Sequence, residues 1–190
     1  MAWKPEQESV VQLSPDERRF FVSRDPSSVL NAYQLRERKG INKSGEFPVA
    51  VMRRLYEALG YETWFSGQAK LGDCTYLLTR LPGRRRAGDA AFRRIVDVFG
   101  LSAIDALNSD AATRRDASGH TAAGGDPDLF VFNRRDPSRR FFVEVKLENL
   151  ASIPVYRDRV GRQQQLLFPL IERHLKCGVR LARVQLVTVG

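Results

Sequence analysis

Two near-continuous apolar runs, Leu129 to Phe132 and Arg140 to Leu147, flank a short basic turn at Asp136-Pro137 and constrain this chain more than any other stretch. Runs of this kind mark strands of a sheet covered on both faces. Joined by so short a turn, they pair as an antiparallel hairpin. A turn about Asp136-Pro137 sets a register that places Asp128 opposite Glu144, with Cβ atoms about 4.5 to 5.5 Å apart. Side chains alternate along a strand, so Glu144 and Lys146 share one face while Val145 points to the other. Two carboxylates and an amine therefore meet at one place, and the carboxylates are close enough to hold one divalent cation.

Each of these residues has a plainer reading beside the chemical one. Pro127 has a fixed φ that suits the start of a strand, which makes Asp128 the metal-ligand candidate; the alternative is a turn or cap acid. Asp126 competes for the same role but suits the turn better. Glu144 lies between Phe142, Val143 and Val145, where an unaccompanied carboxylate is costly. It needs a metal, or an arginine on an edge strand. Lys146 can orient or deprotonate an attacking water and counter growing negative charge, or it is an ordinary solvated lysine. A helix expected over Asp158 to Lys176, ended by Gly178, puts Gln164 on the inward stripe of Val160, Leu167 and Ile171. A glutamine there needs hydrogen-bond partners, which a bound water or scissile phosphate can supply. Gln163 and Gln165 leave a one-residue shift of that register open. The constellation as a whole suits phosphodiester cleavage.

These residues also carry a resemblance. Pro127-Asp128 followed by Glu144-x-Lys146 resembles the PD-(D/E)XK nuclease superfamily. Gly125-x-Pro127-Asp128-Leu129, Phe142-Val143-Glu144-Val145-Lys146 and Asp158-Arg159-Val160-x-x-x-Gln164 are similar to the VRR-NUC nucleases, over about the last third of the chain. The resemblance implies Asp128, Glu144, Lys146 and Gln164 as catalytic residues. It implies Mg²⁺ or Mn²⁺ held by Asp128, Glu144 and the carbonyl of Val145, and 5′-phosphate products. An upstream helical acid often completes the metal site in the superfamily; here the candidate is Glu46, although a first-turn acid also complements a helix dipole. Glu57 is explained by an ion pair with Arg53. Two departures stand out: Leu147 replaces a usual glycine, and residues 147–157 form a longer connection.

Net charge is +9, carried by 25 Arg against 6 Lys. Guanidinium forks bind phosphate oxygens bidentately, so this surface suits a polyanion, namely DNA; a GC-rich genome also inflates arginine. Lysine is scarce, which makes Lys146 the more notable. No apolar run reaches the ~18 residues of a membrane span, and the N-terminus has no signal-peptide stretch, which points to the cytoplasm. Cys74 and Cys177 have no ligand-spaced partners, which argues against a zinc site or disulfide framework.

The expected organisation is an N-terminal helical extension over 1–45 and a nuclease domain over 46–190. Ser14-Pro15-Asp16-Glu17 reads as a helix start, and a second helix is expected from Pro26 to about Arg38. Phe47 to Leu59 is a helix closed by Gly60. Strands are expected at Tyr61 to Phe65, Cys74 to Leu81 and Val179 to Val189, and helices at Ala87 to Gly100 and Ser102 to Arg114. Asp116 to Gly125 reads as a mobile small-residue loop. The fold class is α/β: a restriction-endonuclease-like αβββαβ core, a central mixed sheet flanked by helices, with a helical insertion over 82–124 after the first strand.

The expected activity is a divalent-metal-dependent DNA endonuclease, structure-specific for branched or flapped DNA in repair, recombination or a phage or defence setting. The alternative is a catalytically inactive nuclease-fold DNA-binding subunit of a larger complex; a basic protein adaptor is a third reading. Arg84, Arg85, Arg86, Arg134, Arg135, Arg139 and Arg140 are expected to flank the hairpin. The apolar residues Phe92, Ile95, Val96, Phe99, Leu101, Ile104 and Leu107 of the insertion suggest a homodimer interface.

Overall fold

A computed structural model of the protein describes residues 3–15, 17–18, 46–65 and 90–187. In chain order the elements are β1 (Glu8–Gln12), α1 (Glu46–Ala58), β2 (Glu62–Phe65), α2 (Ala90–Phe99), α3 (Leu101–Thr113), β3 (Leu129–Phe132), β4 (Arg140–Asn149), β5 (Tyr156–Arg157), α4 (Arg162–Leu175) and β6 (Val179–Leu186). They build an α/β fold, a mixed six-stranded sheet flanked by helices, in the order β1-β6-β4-β3-β2 with β5 paired to β4. The strand expected at Cys74 to Leu81, the helix expected to Arg38 and the Arg84–Arg86 cluster lie outside the described residues. Among the described residues no helix is long and apolar enough to cross a membrane.

The hairpin forms in the expected register: Leu129 faces Val143 and Phe132 faces Arg140. Asp136 organises its turn, accepting the Ser138 N–H at 3.1 Å and the Ser138 hydroxyl at 2.5 Å. β4 also pairs in parallel with β6, Phe142 beside Val179 through Asn149 beside Leu186, so it is central. That position explains its continuous apolar sequence, since both of its faces are covered.

Alternation sorts the hairpin into two cores. Phe130, Phe132 and Phe142 face Ile95, Ile104 and Leu107 of α2 and α3 and Leu167, Phe168 and Ile171 of α4. Leu129, Val131, Phe141, Val143 and Val145 face the other way, onto Phe47, Val51 and Met52 of α1. Phe99 stacks on Phe142 at 5.8 Å and lies 5.4 Å from Phe130, contacts that each add about 0.5 to 1.5 kcal/mol beyond area burial. α1 closes where Gly60 takes φ +81, a conformation costly for a side chain with a Cβ.

Three expectations change. Residues 8–12, assigned to a helical extension, form a strand that runs parallel to β6 at the sheet edge, Glu8 beside Leu181. Residues 8–12 are therefore part of the same sheet as the rest of the described strands. Ser14 does start a helical turn: its hydroxyl accepts the Glu17 N–H at 3.3 Å while its own N–H donates to Glu17 Oε2 at 2.9 Å, a reciprocal cap. Secondly, Ile95, Ile104 and Leu107 are fully buried against the sheet. The helical insertion is the layer that covers one sheet face, and this removes the reason to seek a dimer partner for those side chains. Thirdly, the 116–125 loop is held in place. Asp116 Oδ1 accepts N–H groups from Ser118 at 2.8 Å and His120 at 2.9 Å, and Ala122 is buried in the first core.

Candidate active site

Glu144 and Lys146 have the same parity on β4 as Phe142, so they project toward the sheet face that α4 covers. Asp128 immediately precedes β3 and has the parity of Phe130. Its Oδ2 accepts the Val145 N–H at 2.8 Å, which extends the hairpin by one bond and brings the carboxyl beside Glu144. Val145 meanwhile sends its side chain into the opposite core.

Glu144 has no exposed surface. Its Oε1 lies 2.5 Å from Lys146 Nζ and accepts the Gln164 Nε2–H at 2.6 Å, whereas its Oε2 is buried and, with both carboxyls ionised, has no hydrogen-bond partner. β4 carries a second buried glutamate on the same face, and it shows what satisfaction looks like. Glu148 accepts from Arg183 Nη1 at 3.0 Å and from Gln185 Nε2 at 2.7 Å, so both of its oxygens are engaged. An unsatisfied buried polar atom costs about 1 to 3 kcal/mol, so an ionised Oε2 calls for either a proton shared with Asp128 or a cation.

Charge follows geometry. Burial pushes the Glu144 carboxyl well above the usual range, and the Asp128 charge adds to this against the opposing pull of Lys146 and Gln164. Burial likewise raises Asp128, helped by the Asp158 charge and opposed by the Val145 N–H, Lys146 and a hydrogen bond with Glu144. Two adjacent carboxyls that resist joint ionisation bind either a proton or a cation between them. Burial alone would lower Lys146, but Glu144, Asp128 and Asp158 together hold it above the ordinary lysine value. Lys146 therefore stays an ammonium at neutral pH. Of its two expected roles, charge stabilisation is the one that uses this ammonium form.

Gln164 is the third residue of α4 and its amide is used at both ends. Oε1 accepts the Gly161 N–H at 2.8 Å, which closes the helix start, while Nε2 holds Glu144. Its register is settled by its neighbours: Gln163 and Gln165 are exposed and donate to the Ala123 carbonyl at 3.2 Å and the Val160 carbonyl at 3.3 Å. Gln164 thus positions a carboxylate, where sequence reasoning gave it a water or a phosphate. Gly125 explains itself sterically. A Cβ there would sit 2.5 Å from the backbone carbon of Gln163 and 2.7 Å from the nitrogen of Gln164, so only glycine lets the segment leading to Asp128 rest on the first turn of α4.

Asp126 is buried at the same bend, and it is Asp128 that bonds to β4. Glu46 is the first residue of α1, the helix on the opposite sheet face; its side chain lies outside the described residues. Asp158 was missed as a site residue. Its Oδ2 lies 3.9 Å from Lys146 Nζ, and its N–H donates to the Leu147 carbonyl at 2.9 Å. The signal was present, because Asp158 opens the motif that ends at Gln164. Arg134, Arg135, Arg139 and Arg140 gather at the turn, the far end of the hairpin from Asp128. Arg134 pairs with Glu62, Arg139 donates to the Tyr61 hydroxyl at 2.6 Å, and Arg140 lies 5.1 Å over the Phe99 ring. Arg135 remains exposed.

Among the described residues no group of three or more His, Cys, Asp or Glu gathers as a metal cluster. The donor set nonetheless fits a hard cation: two carboxyls within hydrogen-bonding reach, one bare buried oxygen, and a β4 backbone alongside. No family model, no curated protein and no solved structure matches this chain.

Proposed function

We propose that this protein is a divalent-metal-dependent DNA endonuclease of the PD-(D/E)XK type, similar to the VRR-NUC nucleases, with a restriction-endonuclease-like core made of α1, β2, β3, β4, α4 and β6. The observation that carries the reading is the bare, fully buried Oε2 of Glu144 beside the Asp128 carboxyl, on a strand whose other buried glutamate is fully satisfied.

Asp128 and Glu144, with the Val145 carbonyl, would hold Mg²⁺ or Mn²⁺, which when bound polarises the phosphate and acidifies water. Gln164 fixes the Glu144 carboxylate so that Oε2 keeps its direction. Lys146 presents a permanent ammonium where charge grows on the attacked phosphate, stabilising the transition state more than the ground state. Asp158 keeps that ammonium charged and aimed. The products by this reading carry 5′-phosphates.

Incubation with branched, flapped and linear duplex DNA plus Mn²⁺ is the direct test. Cleavage that disappears in Asp128→Ala and Lys146→Ala while DNA binding persists supports the reading; no metal-dependent cleavage of any substrate at high enzyme overturns it. One observation favours the second reading, an inactive DNA-binding subunit. Glu144 Oε1 is already occupied by Lys146 and Gln164, as in a site retired to an ion pair. That reading predicts no cleavage and no calorimetric signal for Mn²⁺.

A further inference from the structure

β4 runs on past Lys146 to Asn149, turns, and returns as β5, with Glu148 beside Arg157 and Asn149 beside Tyr156. The turn between them puts apolar side chains into solvent: Ile153 is 101% exposed, Val155 52% and Tyr156 46%. Of the seven large exposed hydrophobics among the described residues, three fall within these four positions. Apolar side chains scattered singly over a surface are ordinary, whereas a cluster on one turn marks a contact. The turn does not need them to hold its shape. The Ser152 hydroxyl donates toward the carbonyls of Asn149 and Pro154, each at 2.9 Å, and accepts the Tyr156 N–H at 3.1 Å, and the Ala151 N–H donates to Asn149 Oδ1 at 3.1 Å. A tip fixed in this way has little conformational freedom left to lose on binding.

Size and charge define what covers this tip. Arg157, Arg159 and Arg162 follow it and are all exposed. The nearby acids are engaged elsewhere, Asp158 toward Lys146 and Glu148 with Arg183 and Gln185. The turn is therefore apolar at its end and cationic at its base. Four residues are far too few for a stable protein interface, which needs about 800 Å² from each partner. A second copy of the chain would set like charges against each other. Paired DNA offers phosphates to the arginines but no apolar face, and the aliphatic Ile153 and Val155 have no ring to stack on a base. An anionic lipid surface meets every demand. Hydrocarbon takes aliphatic side chains from all directions, a tyrosine sits at the level of the headgroups, and arginines meet the negative lipid surface. Depth agrees as well: Ile153 and Arg157 are four residues apart, at most about 13 to 14 Å of chain, and interfacial insertion reaches roughly 5 to 10 Å.

We infer that the β4–β5 turn, Ile153 to Tyr156, inserts into the interface of an anionic lipid bilayer while Arg157, Arg159 and Arg162 hold the headgroups, so that the protein docks peripherally on a membrane. Apolar insertion and electrostatic attraction act together in such a contact, and neither alone holds a protein of this size firmly. Binding consequently depends on both halves of the turn. The contact goes beyond the nuclease reading and needs neither metal nor DNA.

The test floats the full chain with vesicles in EDTA, one set of phosphatidylcholine alone and one with about a third phosphatidylserine. The expected result is capture by the anionic vesicles only, weakened roughly tenfold by Ile153→Ser combined with Val155→Ser, and to a similar extent by Arg157→Gln combined with Arg159→Gln. The altered side chains are already in solvent, and thermal melts matching the parent's confirm that both variants fold. Ile153→Trp reads depth directly. Its emission, less that of the parent with Trp3 and Trp64, should shift to the blue on anionic vesicles and be quenched by lipids brominated along the acyl chain. No capture by either vesicle overturns the proposal. Capture that the serine pair leaves unchanged also overturns it, because the net charge of the whole protein then suffices. Intact capture together with weakened duplex-DNA binding in the serine pair would assign the tip to nucleic acid instead. Cleavage enters none of these readouts, so failure of the nuclease reading and failure of this one are told apart.

Discussion

Asp128 reaches across the hairpin to the Val145 N–H at 2.8 Å, and that one bond commits its carboxyl to the side of Glu144. Proximity of two desolvated acids carries a stability cost in the metal-free protein. Both native carboxyls are raised, so the folded state binds protons more tightly than the unfolded chain. Their contribution is fully present below the unfolded values near pH 4 and is lost as pH rises through the raised native values. Metal-free protein should therefore melt at progressively lower temperature from about pH 4 to pH 8, and Mn²⁺ should restore the loss. A melting profile flat across that interval would contradict the coupled pair. Lys146 adds nothing in this window, since its raised value lies above it.

Asp128→Asn removes one of the two competing charges and keeps an oxygen for Val145. At pH 8 the metal-free variant should be more stable than the parent by about 1 to 2 kcal/mol, a figure discounted because Asp128 is only half-buried. For a chain of this size that is roughly 2 to 4 °C per kcal/mol. The same variant should lose the Mn²⁺-induced rise in Tm. Differential scanning calorimetry with and without metal reads both effects, and a variant less stable than the parent at pH 8 would show that the charges do not oppose each other.

Gln164→Ala takes away the amide that holds Glu144 and closes the helix start. Cleavage should fall about 10- to 100-fold, the usual scale for a partner that orients a ligand, and the loss of the cap should cost ~1 kcal/mol. Gln163→Ala and Gln165→Ala should each leave cleavage within about twofold of the parent, because those side chains face solvent and act only on nearby carbonyls. Side-by-side rates for the three variants settle the register functionally.

Gly125→Ala should be more damaging than its size suggests. The added carbon meets helix backbone at 2.5 Å, which a rotamer change cannot relieve. Displacing the segment from α4 should cost about 1 to 3 kcal/mol and pull Asp128 out of line with Glu144. A chemical denaturation curve gives the first quantity and Mn²⁺ affinity by calorimetry the second.

How much of this was legible in the chain itself varies with distance along it. The hairpin and the Asp128–Glu144–Lys146 grouping follow from alternation and one turn, both local, and Gln164 from a helical stripe a few residues long. β1 was not legible: Glu8 to Gln12 is a five-residue segment with an alternating half-exposed pattern, and it becomes a strand only because β6, about 170 residues on, supplies its partner. Asp158 was visible as the start of the motif that ends at Gln164, but its approach to Lys146 was not, because the path of the connection from Leu147 depends on β5 pairing back onto β4. The role of Ile95, Ile104 and Leu107 was misread because amphipathic spacing says that a face is buried without saying against what.

Pairing between β1 and β6 also orders events during synthesis. Until Val179 to Leu186 have left the ribosome, β1 lacks its hydrogen-bonding neighbour among the described strands and the β6-facing side of β4, with Glu148 still lacking Arg183 and Gln185, stands open. Contacts separated by so many residues are slow to close, and open strand edges recruit other chains. A nascent chain of this protein is thus most exposed to aggregation just before its final strand appears, and slowing elongation over that stretch should lower the soluble yield.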